Sequence, residues 1–458
     1  MNKLLAKYFQ INIKNNNFFF FYFLFFFLSY LCLTNSIIEI PFKTMPVKNI
    51  PKYKDIAISA PDYSQDLDLK MLNSEGNTNI NSNYLFLTEI KVGSDEQTFN
   101  LLLDTGSYLL WVAKQGSIDT GTPKISRHFN PSSSTTIKNT YETFRITYGT
   151  GSCNGAYYYD NLKYINEKIY MKFGVAEKTD FGVDNCDGII GLGHDYSNIE
   201  DLSLIHMLKK YEITDSLKFS FKFTDLNNGK LVLGEHKDFS SSKVHTCPLI
   251  IYKNLQKNIF WTCQVSGFGL KNSKTEITSS KSYDIIFDTG TNYIMLPLEY
   301  YNDIKDKLID FGCETTYYSS QDHDLQLKCS NKNSLPEIRF TINGAILTMS
   351  QGLSFSRKRD SFYYSQFLFV ENRFIIGSPF FLAFHTLFDK EKEMLLFYPE
   401  ELNNIENEIN VISIIALVVV VILLMLALGY LIYQCILWKK SKRQLQDLNN
   451  NNYNYNFL

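Results

Sequence analysis

Two aspartates stand in the same short context 184 residues apart: Asp104-Thr105-Gly106-Ser107 and Asp288-Thr289-Gly290-Thr291. Each follows an apolar run, Leu101-Leu102-Leu103 in the first case and Ile285-Ile286-Phe287 in the second. Each therefore reads as a buried strand that delivers a carboxylate into a tight turn. One Asp-Thr-Gly is ordinarily just a turn, because Asp and Gly suit turns on steric grounds alone. Two copies in matched apolar surroundings point instead to a duplicated lobe whose carboxylates meet at a pseudo-two-fold axis. Carboxylates about 3 Å apart cannot both ionise, so the pair titrates as a unit and holds one proton over a wide acidic range. That state contains a base and an acid together. One carboxylate takes a proton from water while the other donates to a carbonyl, which is the chemistry of water attack on an amide. Gly106 and Gly290 let backbone N–H groups approach the carboxylates with no Cβ in the way. Ser107 and Thr291 offer hydroxyl donors to the outer carboxylate oxygens. Thr105 and Thr289 are placed to hydrogen-bond across the lobe interface.

Around these turns the chain reads as many short strands with turn punctuation, as at 140–148, 155–159, 218–223 and 230–234. Residues 202–211 and 299–311 read as short helices. A chain of 458 residues is too long for one core and fits two lobes, with the boundary between Asp238 and Leu249. The net charge of −2, with no basic cluster near the paired motifs, argues against a nucleic-acid partner. The seven histidines show no metal-ligand spacing with one another or with the cysteines, so no metal or cofactor is expected and a zinc hydrolase is rejected.

Further motifs accompany the two triplets. Trp111 lies seven residues after Asp104, and Phe129-Asn130-Pro131-Ser132 follows. Then come Tyr148-Gly149-Thr150-Gly151-Ser152 and Asp187-Gly188-Ile189-Ile190-Gly191-Leu192-Gly193. Phe374-Ile375-Ile376-Gly377 and Phe388-Asp389 close the series. In this order the chain resembles the pepsin-like aspartic proteases from about Asn83 to Tyr398. The resemblance implies a mostly β, bilobal fold with a cleft between related lobes, and an aspartic endopeptidase that needs no cofactor. It implies that Asp104 and Asp288 are catalytic, that the flap residues Tyr148, Gly149 and Thr150 close over substrate, and that Trp111 packs beneath Tyr148. Cys186 holds the position before Asp-Gly that usually carries a large apolar residue lining the substrate pocket. A protein or peptide substrate would lie in the cleft as an added strand, with apolar side chains flanking the scissile bond and acidic pH preferred. A monomer is expected. The rival reading is a catalytically silent, peptide-binding membrane receptor. Such proteins usually lose a motif residue, and here both triplets, both following hydroxyls and Tyr148 are intact.

The ends of the chain extend this reading. Residues 1–36 combine Lys3, Lys7 and Lys14 with a 16-residue apolar run from Phe18 to Leu33, which reads as a secretory signal rather than an anchor. Residues 37–76 lack clear period-2 alternation and occupy the family's propeptide position, with Lys52-Tyr53-Lys54 as the blocking element; a solvated linker is the alternative. The lobes are expected at 77–243 and 244–400, and a stalk at 401–410. Residues 411–433 form a 23-residue run without a charge, long enough to span a bilayer. Lys439, Lys440, Lys442 and Arg443 follow it, which predicts a luminal or extracellular catalytic region and a cytoplasmic tail over 434–458. The tail ends Tyr455-Asn456-Phe457-Leu458, a pattern that adaptor proteins read in sorting. Six cysteines lie on the luminal side, in an oxidising compartment. They allow fifteen connectivities, among which spacing cannot choose. The pairing adopted is Cys153–Cys186, Cys247–Cys263 and Cys313–Cys329. Resemblance carries the last, since Cys329 matches a family disulfide position and Cys313 replaces its missing partner. A Cys153–Cys186 bridge would tether the flap base and restrict its opening.

Overall fold

The computed structural model describes residues 38–46, 84–148, 151–164, 167–183, 185–194, 200–223, 228–251, 260–319, 324–331, 335–355, 361–371 and 373–399. These build two large sheets, one of thirteen strands and one of ten. Each sheet carries one of the Asp-Thr-Gly turns, so the mostly β, two-lobed architecture implied by the motif duplication is present.

In the first lobe, Gln97–Asp104 runs parallel to Gly188–Gly191, with Asp104 opposite Gly191. In the second, Tyr283–Phe287 runs parallel to the two-residue strand Ile375–Ile376. Parallel pairs of this kind need apolar residues on both faces, and Leu101, Leu103, Ile190, Ile285, Phe287 and Ile376 are fully buried. The apolar runs before each aspartate therefore do what their composition suggests. They anchor the turn from below. Helices form at Leu204–Lys210 and Leu298–Ile304, the second continuing as a 3-10 helix over Lys305–Phe311.

The segment Ile38–Pro46 departs from the sequence reading. It is a strand, seated between Asn228–Leu233 and Tyr84–Val92 in the middle of the larger sheet. Its alternation is short but clear, because Ile40 and Phe42 are buried while Glu39, Pro41 and Lys43 are exposed. Pro41 and the surrounding prolines and lysines hid the pattern. The larger sheet also takes strands from the second half of the chain: His245–Pro248, Phe384–Asp389 and Met394–Pro399 all join its end. This seam is filled with aromatic rings. Phe42 lies 5.3 Å from both Phe86 and Phe223 and 5.9 Å from Phe221, between centroids. Phe219 and Phe388 stack at 4.9 Å, joining the two halves.

Among the described residues no helix is long and apolar enough to cross a membrane. The proposed signal, the blocking Lys52-Tyr53-Lys54, the apolar run 411–433 and the Tyr455–Leu458 tail lie outside the described residues.

Phe42→Ala in the unprocessed chain is expected to cost about 3–5 kcal/mol, the usual range for a fully buried Phe. Denaturant unfolding checks this; a loss below about 1 kcal/mol would mean that the strand does not dock.

Candidate active site

The two Asp-Thr-Gly turns meet face to face. Thr105 N donates to Thr289 Oγ1 at 3.0 Å, and Thr289 N donates to Thr105 Oγ1 at 2.9 Å. Each threonine hydroxyl then donates onward to the partner strand, Thr105 to the Phe287 carbonyl at 2.9 Å and Thr289 to the Leu103 carbonyl at 2.7 Å. Both threonines are fully buried. Four bonds of this kind, with every donor satisfied in a dry interface, set the two turns at one separation.

The same symmetry orders the carboxylates. Gly106 N donates to Asp104 Oδ1 and Gly290 N to Asp288 Oδ1, both at 2.8 Å. Ser107 Oγ donates to Asp104 Oδ2, and Thr291 Oγ1 to Asp288 Oδ2 at 2.6 Å. A Cβ on Gly106 would stand 2.6 Å from the Asp288 carboxyl, and one on Gly290 would stand 2.5 Å from Asp104 Oδ1. Only glycine permits each turn to come so near the other's acid. Burial, together with the adjacent Asp288 charge, pushes Asp104 well above the usual carboxylate range. The pair consequently holds a proton where isolated carboxylates are ionised.

The chain packs behind the first turn to keep it in place. Leu192 N donates to the Asp104 carbonyl and Gly193 N to the Ser107 carbonyl, both at 2.7 Å. Asp187, just before this segment, accepts from Asn100 N at 2.9 Å and Arg127 N at 3.0 Å. In the second lobe Ser378 N donates to the Thr291 carbonyl at 2.7 Å, the mirror contact. Trp261 adds a tie from farther along the chain. Its Nε1 donates to the Leu192 carbonyl at 2.8 Å, tying second-lobe sequence to the support of the first turn. No local motif marks it; only the contact across 69 residues does.

Lys138–Tyr148 and Gly151–Tyr164 form the hairpin beside the dyad, with Tyr148 opposite Gly151. Gly149 and Thr150, at its tip, lie outside the described residues. Tyr148 and Trp111 are brought together, Trp111 Nε1 donating to Tyr148 Oη at 2.9 Å. Phe181, another residue the motifs do not mark, packs on both, 5.6 Å from Trp111 and 6.0 Å from Tyr148.

The cysteines need one correction. Cys247–Cys263 and Cys313–Cys329 are bonded, but Cys153 and Cys186 are free thiols. The flap base is therefore not tethered by a bridge. Cys186 turns its Sγ onto the Gly188 carbonyl at 3.0 Å, within its own turn. Cys153 stands in the hairpin opposite Ile146 and Thr179. Both belong to the apolar cluster around Trp111 and Phe181, where a thiol acts as a small apolar filler. Burial raises both thiols, Cys186 to about 12, which keeps them unreactive. His236 and His385 lack ligand spacing along the chain, yet the fold brings them together around Asp238.

A family model described as eukaryotic aspartyl protease matches residues 85–398. The chain is 28% identical to gastricsin of Oryctolagus cuniculus over 323 residues, covering 66% of this chain and 78% of that protein. It is 26% identical to vacuolar protease A of Neurospora crassa over 276 residues, covering 58% of this chain and 65% of the relative. Pepsin B of Canis lupus familiaris matches at 29% over 284 residues, 58% of this chain and 68% of its own.

Two outcomes follow from this geometry. In unreduced, unfolded protein, peptides carrying Cys153 and Cys186 should take up a maleimide, whereas those carrying Cys247, Cys263, Cys313 and Cys329 should not. Asp104→Asn should raise the melting temperature at neutral pH. A carboxyl whose folded pKa is raised favours folding only while protonated, so its contribution falls as pH climbs from the unfolded value near 3.8 through the raised one. The gain of the variant over wild type should therefore shrink on acidification, as a melting series across pH would record.

Proposed function

The chain belongs to the eukaryotic aspartyl protease family and is an aspartic endopeptidase; from that premise we propose that Asp104 and Asp288 are its catalytic pair. The reciprocal Thr105–Thr289 bonding, which sets the two carboxylates against each other, is the observation that carries this assignment. A water held between the carboxylates loses a proton to the ionised one as it attacks the scissile carbonyl. The protonated carboxyl gives its proton to that carbonyl oxygen. Atoms and charge balance in a tetrahedral diol, and the pair is left with one proton as before. The pair's proton then passes to the amide nitrogen, the C–N bond breaks, and one diol hydroxyl returns its proton to the pair, which leaves a carboxylic acid, an amine and the singly protonated pair. Gly106 N, Gly290 N, Ser107 and Thr291 direct their hydrogen bonds to the carboxylates, which holds both in place without further reorganisation.

Tyr148 would close over an extended peptide lying in the cleft, with its hydroxyl positioned by Trp111. Protein or peptide substrates fit this reading, and the chain would act as a monomer. Gly149 and Thr150 would offer backbone groups at the hairpin tip.

The placement of the enzyme belongs to the same proposal. A secretory signal over 1–36, a propeptide over 37–76 and a single span over 411–433 would make it a type I membrane protein with a luminal catalytic region. The name of the Neurospora vacuolar relative agrees with a luminal setting. The stalk 401–410 reaches at most about 33 Å fully extended, so substrate would be cut close to the membrane. The Tyr455–Leu458 tail would bind sorting adaptors.

The test is cleavage of a denatured protein across pH 3–7 (the span of carboxylate titration) by the purified full chain. Asp104→Asn and Asp288→Asn should each lose roughly 10²–10⁴-fold in rate, and a statine-type inhibitor should block the wild type. Activity should fall as pH rises past the pair's upper apparent pKa, since the shared proton is then lost. Peptide binding without cleavage would favour the silent receptor instead.

A further inference from the structure

Apart from the dyad, the described residues assemble a set of groups able to hold a metal ion: His236, Asp238 and His385, whose ligating atoms all lie within 4.8 Å of one another. They come from remote parts of the chain. His236 caps the 3-10 turn Lys237–Ser240, and Asp238 lies within it. His385 belongs to the strand Phe384–Asp389 and packs 4.6 Å from the Phe239 ring. Asp238 Oδ2 is 3.1 Å from His236 Nδ1 and 3.1 Å from His385 Nδ1. Ligand atoms held about 2.0–2.1 Å from a tetrahedral zinc ion stand roughly 3.3 Å apart. Both spacings suit a shared ion, around which the two imidazole nitrogens, now within 4.8 Å of each other, would draw together.

A shared ion would replace bonds now made inside the cluster. Asp238 N donates to His236 Nδ1 at 3.3 Å, the bond by which that ring caps its turn. His385 Nε2 is 2.9 Å from Ser220 Oγ. In the tautomer that donates this bond, Nδ1 turns its lone pair toward Asp238, and Ser220 becomes the outer partner that orients a ligating imidazole. Lys222 competes, its Nζ lying 2.7 Å from Asp238 Oδ2. That side chain is 27% exposed, whereas His385 is wholly buried. The ammonium can leave; the imidazole cannot.

We propose that His236, Asp238 and His385 form a zinc site in which the metal displaces Lys222 from Asp238. Three protein ligands leave a fourth position for water. The ion would staple a strand from the end of the chain to a turn 147 residues earlier, and would stabilise the folded protein by binding only that state.

The full chain, stripped by chelation, is titrated with Zn²⁺ against a chromophoric chelator while its melting temperature is followed. One equivalent should bind and raise the melting temperature. His236→Asn keeps a good capping side chain but should bind at least about tenfold more weakly (the loss of one ligand's worth of affinity) and lose the thermal gain. Lys222→Met keeps all three ligands and should bind more tightly than wild type. A wild type that binds no equivalent overturns the site, as does binding that His236→Asn leaves unchanged. Unchanged or weaker binding by Lys222→Met overturns the displacement, and that variant decides the matter even if His236→Asn fails to fold.

Discussion

Bringing two buried carboxylates together is electrostatically uphill, and the reciprocal pair of Thr105 and Thr289 is what holds them there. Each threonine donates its backbone N–H to the other's hydroxyl and passes its own proton to the other lobe's strand. Because all four donors are satisfied inside a dry interface, separating the turns would strand several polar groups at once. That penalty opposes the repulsion which would otherwise push Asp104 and Asp288 apart. The raised pKa of Asp104 is the trace of the compromise: the pair stays close by keeping a proton.

The rest of the fold serves that contact from a distance. Parallel pairing of Gln97–Asp104 with Gly188–Gly191, and of Tyr283–Phe287 with Ile375–Ile376, places a stiff apolar layer under each turn. Strands from the end of the chain then extend the first sheet, and stacked Phe219 and Phe388 fasten the seam. Trp261 adds a direct tie by donating to the Leu192 carbonyl, while Leu192 N in turn supports Asp104. A disturbance in the seam therefore reaches the dyad through few intermediates. The hairpin beside the dyad is different in kind. Its Tyr148 is held by the Trp111 bond and by ring contacts, and no bridge forms at Cys153 and Cys186. A reduced, apolar base leaves that hairpin free of the covalent restraint that the cysteine count suggested.

Several elements are legible in the residues alone. Strand and helix positions such as Lys218–Phe223 and Leu204–Lys210 follow from periodicity. The strand Ile38–Pro46 was missed because two prolines and a lysine interrupt a brief alternation, and because its partners lie far along the chain. Cysteine chemistry was half legible. Compartment and even number favour bridges, but whether two thiols face each other depends on rotamers and local acceptors, as Cys186 on the Gly188 carbonyl illustrates.

The sequence by itself determined the chemistry: duplicated Asp-Thr-Gly turns behind apolar strands already demand a protonated carboxylate pair, because residue type and local spacing control turn geometry and strand burial. Glycine at 106 and 290 was also readable, since no side chain tolerates so close an approach. Tertiary structure alone decided what depends on separations of 69 to 184 residues. It seated Trp261 behind the first turn, and it closed His236, Asp238 and His385 into one cluster. It also left Cys153 and Cys186 unbonded. Local sequence carries no signal for such meetings, because they are set by how two sheets pack and not by the preferences of neighbouring residues.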